Sequence, residues 1–276
     1  MNSQGPSGFE DLIPAERQAR LREWFDRNVS GSVQELARMF NTSISTLRRD
    51  LDALVAEGLI RRTHGGAVSV RNRATFEPST EQARLTAIEE KRAIAEAAAR
   101  RLVNGQSLLL DTGSTTAAFA HLIAAMDLEL TVVTQDLQIA GILSRNSHIR
   151  LIVPGGICRP RAYTLFGEHG LDFMSGLRCD WAFLTAQAMD HDCLSDTLLE
   201  LVRMKRAMIA AARVSCVLID SSRLSSRAIH RVADLAEVHE MITDTGLGED
   251  DARPFLEAGL RVTRVSPKDG TESLWG

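Results

Sequence analysis

The sequence predicts two folded parts: a small α+β unit at the N-terminus and a larger α/β unit built on a mostly parallel sheet. Three observations carry that expectation. Residues 33–67 hold two short amphipathic helical patterns, a tight polar turn and a basic segment ending in Gly65-Gly66. From Ser107 onward, short apolar runs alternate with helical patterns, as in a parallel sheet covered on both faces. At 276 residues, 44% hydrophobic and 25% charged, the chain is long enough for one small core and one larger one.

The opening fifteen residues, MNSQGPSGFEDLIPA, lack the basic start and apolar block of a secretory signal. Residues 1–13 read as a flexible lead, and Pro14 opens a helix that runs to about Arg27. Ser32 is a good N-cap with Glu35 in capping-box spacing, and Leu36, Ala37 and Phe40 form an apolar stripe at helical period. Asn41 and Thr42 break this helix, and Ser43 caps the next. There Ile44, Leu47, Leu51 and Leu54 recur at i, i+3, i+7 and i+10 and are expected to face inward. Ser45, Thr46, Arg48 and Arg49 are left on the outer face. Gly58 lies where the helix must stop. Leu59-Ile60 then start a short strand, Arg61, Arg62 and His64 rise into a wing, and Gly65-Gly66 allows a tight turn with close backbone approach.

In this order, over residues 14–69 with the helix-turn-helix at about 31–50, the parts form the layout of a winged helix-turn-helix. Such a unit puts its second helix into the major groove of DNA. Hydroxyls near a helix start bond phosphate or base edges, and arginine forks onto guanine or phosphate. The candidate DNA-binding residues are Ser43, Ser45, Thr46, Arg48, Arg49, Arg61, Arg62, His64, Gly65 and Gly66. A solvated three-helix unit is the bland alternative, since Glu35, Asp50, Asp52 and Glu57 offset much of the local basic charge. Cap, stripe, turn, outer arginines and basic wing in sequence weigh against it. An RNA-binding winged helix is weaker, because the major groove of double-stranded RNA is too narrow for a helix. The net charge of −4 is compatible with DNA binding, which needs only a local basic face.

Residues 70–80, with Arg71, Arg73 and Pro78, read as a linker. The α/β unit then spans 81–244, and 245–276 complete it. Glu89 and Glu90 start a helix that runs through Ile94, Ala98 and Leu102, with acids where the helix dipole favours them. Ser107 to Asp111 is a buried strand that ends in Thr112-Gly113-Ser114-Thr115-Thr116 and a helix. Further strands are expected at Leu130–Val133, Ile149–Val153, Trp181–Leu184, Val214–Ile219, Met241-Ile242 and Leu260–Val265, with helices at Leu137–Ser144 and Leu198–Ala212. Ligands in such sheets bind at the carboxyl ends of the strands. The Asp111–Thr116 turn offers backbone N–H groups and hydroxyls that suit a phosphate, although turns of this composition are as often plain helix caps. The four cysteines show no CxxC pair, so free thiols are expected rather than a metal site or a disulfide framework. No run of some eighteen apolar residues appears, so no membrane partner is expected and the location is expected to be cytoplasmic.

Glu35-Leu36-Ala37, Phe40-Asn41, Leu47-Arg48-Arg49-Asp50-Leu51, Gly58-Leu59 and Arg62-Thr63-His64-Gly65-Gly66-Ala67 resemble the N-terminal signature of the DeoR/GlpR family of bacterial transcriptional regulators. The resemblance continues more loosely to about residue 244. It takes in Asp111–Thr116, Thr131–Thr134, Gly155-Gly156 with Arg159, Gly167, Asp180 with Phe183, Lys205–Met208, Asp220–Ser222 and Ile242–Asp244. It implies a ribose-5-phosphate-isomerase-like sensor domain and sequence-specific binding to double-stranded operator DNA. It also implies repression of carbohydrate or related catabolic genes, relieved by a phosphorylated sugar or polyol, with no cofactor or metal. A dimer or tetramer, nucleoid-associated when bound to its operator, completes the expectation. The effector contacts it implies are Asp111, Thr112, Gly113, Ser114, Thr115, Arg159, Asp190 and Lys205.

Departures from the family pattern fall near that cleft. Gln135 replaces a common asparagine, and Thr185-Ala186-Gln187-Ala188-Met189-Asp190 replaces a glycine-rich loop. Glu200, five residues before Lys205, is out of phase with the family glutamate, and Arg223 stands where lysine is common. The alternative to a regulator is a sugar-phosphate isomerase with an appended DNA-binding domain. That chemistry needs a carboxylate base and a cation for the enediolate. The paired-aspartate loop of such isomerases is missing, since Gln187-Ala188-Met189-Asp190 stands there, and no enzyme is expected.

Overall fold

The two patterns fold as two separate units, residues 1–72 and 73–276. The computed structural model describes residues 13–28, 30–57, 59–63, 65–69, 80–160 and 162–275. The expected lead (1–12), Gly58 at the helix stop, His64 in the wing, the Arg61 side chain and nearly all of the linker (70–79) lie outside the described residues.

The first unit runs α1 (Pro14–Arg27), β1 (Ser30–Ser32), α2 (Val33–Met39), α3 (Ile44–Ala56), β2 (Ile60–Thr63) and β3 (Gly66–Ser69), with an antiparallel sheet in the order β1-β3-β2. Ser32 Oγ accepts from the Glu35 amide at 3.2 Å and Ser43 Oγ from the Thr46 amide at 3.1 Å, so both helices start on the expected caps. Between them Asn41 takes φ +46°, a left-handed turn that asparagine tolerates well. Leu36, Phe40, Leu47, Leu51 and Leu54 close on Leu21 and Phe25 of α1 and on Ile60 of β2. Burial of each such side chain contributes about 1.5–3 kcal/mol.

Two expectations are corrected here. Ile44 has helical period in its favour but is 45% exposed. It is the first residue of α3 and borders a shallow hollow with Gln34, Arg38 and Asn41, so no core surface faces it. Asp50 is not a surface counter-charge. It is buried, accepting from Arg17 Nε at 2.6 Å and Gln18 Nε2 at 3.1 Å, and so fixes α1 against α3.

The second unit begins with α4 (Thr80–Leu85) and α5 (Ile88–Ala99), then β4 (Ser107–Leu110), α6 (Ser114–Ala125), β5 (Leu130–Thr134), α7 (Leu137–Leu143) and β6 (Ile149–Ile152). A hairpin of β7 (Ile157–Cys158) and β8 (Leu165–Phe166) leads to α8 (Glu168–Ser175), β9 (Cys179–Leu184), β10 (Ala188–Met189), β11 (Cys193–Asp196), α9 (Leu199–Ala211) and β12 (Ala212–Leu218). The chain ends with β13 (His230–Asp234), β14 (Glu240–Asp244), α10 (Glu249–Glu257), β15 (Arg261–Val265) and β16 (Glu272–Trp275). Eight strands form the main sheet in the order β16-β15-β14-β12-β9-β4-β5-β6, all parallel except β16. The period of two along each strand divides the core. Leu108, Leu110, Val132, Phe183, Leu218 and Ile242 pack with α5, α6 and α7 on one face. Leu109, Val133, Ala182, Leu184, Val217 and Met241 pack with α8, α9 and α10 on the other.

Strands β5 and β6 lie to one side of β4, and β9, β12, β14 and β15 to the other. The order therefore reverses between β4 and β9, and the crevice at their carboxyl ends is where an open α/β sheet binds ligands. The elements absent from the sequence expectation, namely β1, α4, α8, α10, β13, β16 and the short strands β7, β8, β10 and β11, are all brief.

Gly66 tests the close-approach argument. It pairs with Ser32 across β1 and β3, and a Cβ there would stand 2.1 Å from the Gly31 carbonyl oxygen. Gly66→Ala is expected to destabilise the first unit by about 1–3 kcal/mol, because backbone must move. Thermal unfolding of the variant unchanged from wild type would refute this.

Candidate functional site: a nucleic-acid interface and a ligand cleft

On α3 the outer-face expectation holds in position. Ser45, Arg48 and Arg49 are exposed and Thr46 is half-buried. The hydroxyls are already mutually bonded: Ser43 Oγ lies 2.9 Å from Ser45 Oγ and 2.8 Å from Thr46 Oγ1 while also capping the helix. Arg62 differs from a free wing arginine. Its Nε and Nη2 donate to Asp52 at 2.9 and 2.7 Å, and Nη2 also donates to the Arg48 carbonyl at 2.7 Å. It braces the wing strand against α3, and a phosphate must compete with Asp52 for it. Gly65 is exposed and Gly66 is buried between strands. Gln34, Arg38 and the exposed Ile44 adjoin the same helix start. For Gln34 and Arg38 the sequence signal was present only as residues left off the apolar stripe, whereas Ile44 was assigned to it.

The second site lies at the reversal between β4 and β9. Thr112, Gly113, Ser114, Thr115, Arg159 and Lys205 border a solvent-open cleft of about 100 Å³ with Thr185, Gln187, Asp196 and Arg223. Gly113 stands at the N-cap of α6 and provides no side-chain cap, so the dipole and the first-turn amides of α6 face that end. Its φ of +152° favours glycine, and a Cβ would meet Thr185 Oγ1 at 2.9 Å. Thr112 Oγ1 donates to Asp136 at 2.5 Å and bonds Thr164 Oγ1 at 2.8 Å, and Asp136 caps α7 through the Gln138 and Ile139 amides.

Two of the expected effector contacts do not border the cleft. Asp111 is fully buried and saturated, accepting from Lys205 Nζ, the Thr185 amide (3.0 Å), Thr185 Oγ1 (3.1 Å) and Gln135 Nε2 (3.2 Å). Asp190 is buried in the turn before β11, where it accepts from the Asp192 and Cys193 amides and pairs with Arg227. Burial opposes the charge of Asp190, but those amides and Arg227 outweigh it and hold the carboxyl below its ordinary range. Asp190 satisfies donors of its own turn and Asp111 donors 24 to 94 residues away, which spacing alone does not reveal.

Lys205 is not a solvated surface lysine. It is 2% exposed, bonded to Asp111 and to the Thr185 carbonyl at 2.7 Å, and 3.5 Å from Asp196. Burial works against the ammonium, but Asp111 and Asp196 prevail and raise its pKa above the ordinary value. Gln135, one methylene longer than asparagine, is buried and reaches Asp111, while its Oε1 has no partner among the described residues. Among the described residues no group of three or more His, Cys, Asp or Glu side chains could hold a metal, and no helix is long and apolar enough to cross a membrane.

Lys91 was not singled out by the sequence. It is buried on α5 and donates to the Ala83 carbonyl and, at 2.6 Å, to the Thr86 carbonyl, so its ammonium closes the C-terminal end of α4. Ala83 itself lines the cleft, and Arg84 donates to Gln138 while lying 5.2 Å from the Tyr163 ring centre. Ala87, between α4 and α5, holds φ +50°, a left-handed conformation that costs a non-glycine residue about 1–2 kcal/mol.

Residues 17–73 match the DeoR-like helix-turn-helix domain, and residues 86–245 match the DeoR C terminal sensor domain. The chain is 31% identical over 252 residues to the HTH-type transcriptional regulator GolR of Listeria innocua, covering 91% of this chain and 98% of that protein. It is 34% identical over 217 residues to the glycerol-3-phosphate regulon repressor of Escherichia coli, covering 77% and 84%. To the L-fucose operon activator of Haemophilus influenzae it is 30% identical over 244 residues, covering 87% and 96%. Ribose 5-phosphate isomerase A of Methanocaldococcus jannaschii aligns with 49% of this chain and 53% of its own at 20% identity and a TM-score of 0.36.

Burial sets a pH prediction. It lowers the Lys91 pKa from 10.5 to about 8, against the partial support of Asp220. Between those values the unfolded chain binds more protons than the folded one, so stability from this group rises with pH. The gain across the window is roughly 3 kcal/mol by linkage. Urea unfolding at pH 7.5 and 10 should show this rise in wild type relative to Lys91→Met. A difference between the two proteins that stays constant with pH would contradict it.

Proposed function

The chain belongs to the DeoR family of transcriptional regulators, and from that premise we propose a repressor that a phosphorylated sugar or polyol releases from its operator. The uncapped N-terminus of α6, opening into the cleft beside Arg159, supports the effector reading most directly. Backbone donors and the helix dipole there suit a phosphate, with Thr112 to Thr115 around it. Lys205 and Asp111 have a different part, as the strut that holds the loops around the cleft. The named relatives are regulators, and an isomerase has no support at this site. Asp111 is saturated and Asp196 is paired with Lys205, so neither carboxylate is poised as a base.

On the DNA side, the exposed Arg48 and Arg49 would reach bases or phosphates from α3, and Ile44 offers an apolar contact to a thymine methyl. One winged helix buries too little surface for high specificity, so we propose at least a dimer on paired half-sites, joined through the larger unit. Chain connectivity supplies the route between ligand and DNA. The segment after β3 enters α4, and α4 contributes Ala83 to the cleft. A ligand that prefers one placement of α4 shifts the population of DNA-competent states only by its differential affinity, typically 1–3 kcal/mol.

Arg48→Ala and Arg49→Ala should each weaken operator binding, by about 1–3 kcal/mol for a bidentate base contact. A phosphate contact would instead lower affinity for all sequences and reduce the salt slope by about one. Unchanged operator affinity in both variants at fixed salt rejects α3 as the reading helix. For the effector, Ser114→Asp puts a carboxylate in the first turn of α6, where the dipole tolerates it but a phosphate is repelled. Calorimetry with a panel of sugar phosphates should show binding to wild type weakened at least about tenfold in this variant, with thermal stability retained. Equal binding to both proteins would reduce the Asp111–Thr116 turn to a helix start alone.

A further inference from the structure

The cleft has a second cationic end. Arg223 borders it and is 22% exposed at its side chain. Its Nη1 is fixed by the Ala186 carbonyl at 3.2 Å and by Gln187 Oε1 at 3.1 Å. Asp220, which also borders the cleft, pairs with Nε at 3.6 Å, beyond hydrogen-bond length, and accepts from Ser222. Nη2 makes no hydrogen bond among the described residues. The guanidinium is thus preorganised, partly desolvated and incompletely satisfied.

The other end is the α6 N-terminus with Arg159. Between the two lie Thr185, Asp196 and Lys205, whose ammonium is already offset by Asp111 and Asp196. That middle stretch suits hydroxyl groups rather than a further anion. The spacing can be bounded along the chain. Gly113 abuts Thr185, and Arg223 bonds the next two residues, so the two ends are on the order of 10 Å apart at about 3.5 Å per residue.

We infer that the effector carries two anions, as a phosphorylated sugar acid does, with its phosphate on the α6 N-terminus and its carboxylate on Arg223. This rests on the phosphorylated-effector reading above and narrows it. With Nη1 occupied, the Nη2 and Nε edge offers two coplanar N–H donors that match a carboxylate, which an ammonium cannot, and the ligand carboxylate displaces Asp220 from Nε. The arginine at 223, together with the Gln187 side chain that positions it, therefore discriminates an acid from the matching polyol. A chain of about four to six carbons spans the gap at bond lengths near 1.5 Å.

The probes are gluconate 6-phosphate and glucitol 6-phosphate, which differ only in a carboxylate against a hydroxymethyl group. Titration calorimetry on the full chain is expected to show the acid binding at least about tenfold more tightly to wild type. Arg223→Gln should abolish that preference while leaving glucitol 6-phosphate affinity within about twofold, which also shows that the cleft is still folded. Arg223→Lys should retain part of the preference. Equal affinities in wild type, or a preference that survives in Arg223→Gln, overturn the inference while leaving a phosphorylated effector in place. Failure of both probes and of all other sugar phosphates to bind wild type, with operator binding intact, overturns the effector reading and this inference with it.

Discussion

The larger unit depends on one buried ion pair. Lys205 of α9 meets Asp111 at the end of β4, and the same carboxylate receives Thr185 from beyond β9 and Gln135 from beyond β5. Three loops at the carboxyl edge of the sheet are therefore tied to one pair of oxygens. Removing Lys205 alone would strand the Asp111 carboxylate in the interior, at a cost of about 3–5 kcal/mol. Replacing both by apolar groups would leave the Thr185 and Gln135 donors and Asp196 without these partners, so the pair sets geometry as the centre of a network. It also determines the charge a ligand meets. Lys205 is offset by two aspartates, and the other positive groups at the cleft, Arg159, Arg223 and the α6 N-terminus, share its border with Asp220.

The smaller unit repeats the device at lower stakes. Arg17 and Asp50 join α1 to α3 inside a core of leucine and phenylalanine. Arg62 and Asp52 join the wing to α3 at the surface, where such a pair contributes little stability but fixes a direction. The arginines of this unit thus divide by partner. Arg17 and Arg62 are structural braces, while Arg48 and Arg49 stay exposed on α3 and retain their charge for another molecule. A chain with net charge −4 can in this way present a locally basic helix.

At the border of the cleft, α4 is held in place by its neighbours. It is only six residues long and has little helical stability of its own. The Lys91 ammonium on its last carbonyls and the Arg84 contacts with Gln138 and Tyr163 keep it in place, next to a strained Ala87. Short, externally held segments beside a cleft are suited to two-state behaviour, because small changes in what holds them alter their population.

The amino-acid sequence by itself determined both architectures. Caps at Ser32 and Ser43, the stripe through Leu47, Leu51 and Leu54, and alternating apolar runs from Ser107 are local periodic signals, and each appears where expected. The position of the cleft was also legible, since a glycine-containing turn after the first strand of a parallel sheet lies at its carboxyl edge. Tertiary structure alone decided which charged residues face solvent. Asp111, Asp190, Lys205 and Lys91 are buried through partners up to 94 residues away, and Ile44 is exposed because the core ends before it. Period and spacing describe what a residue's own helix or strand does. The state of a charge depends on which opposite charge or dipole the fold brings within a few ångströms, and that pairing is a property of the folded chain.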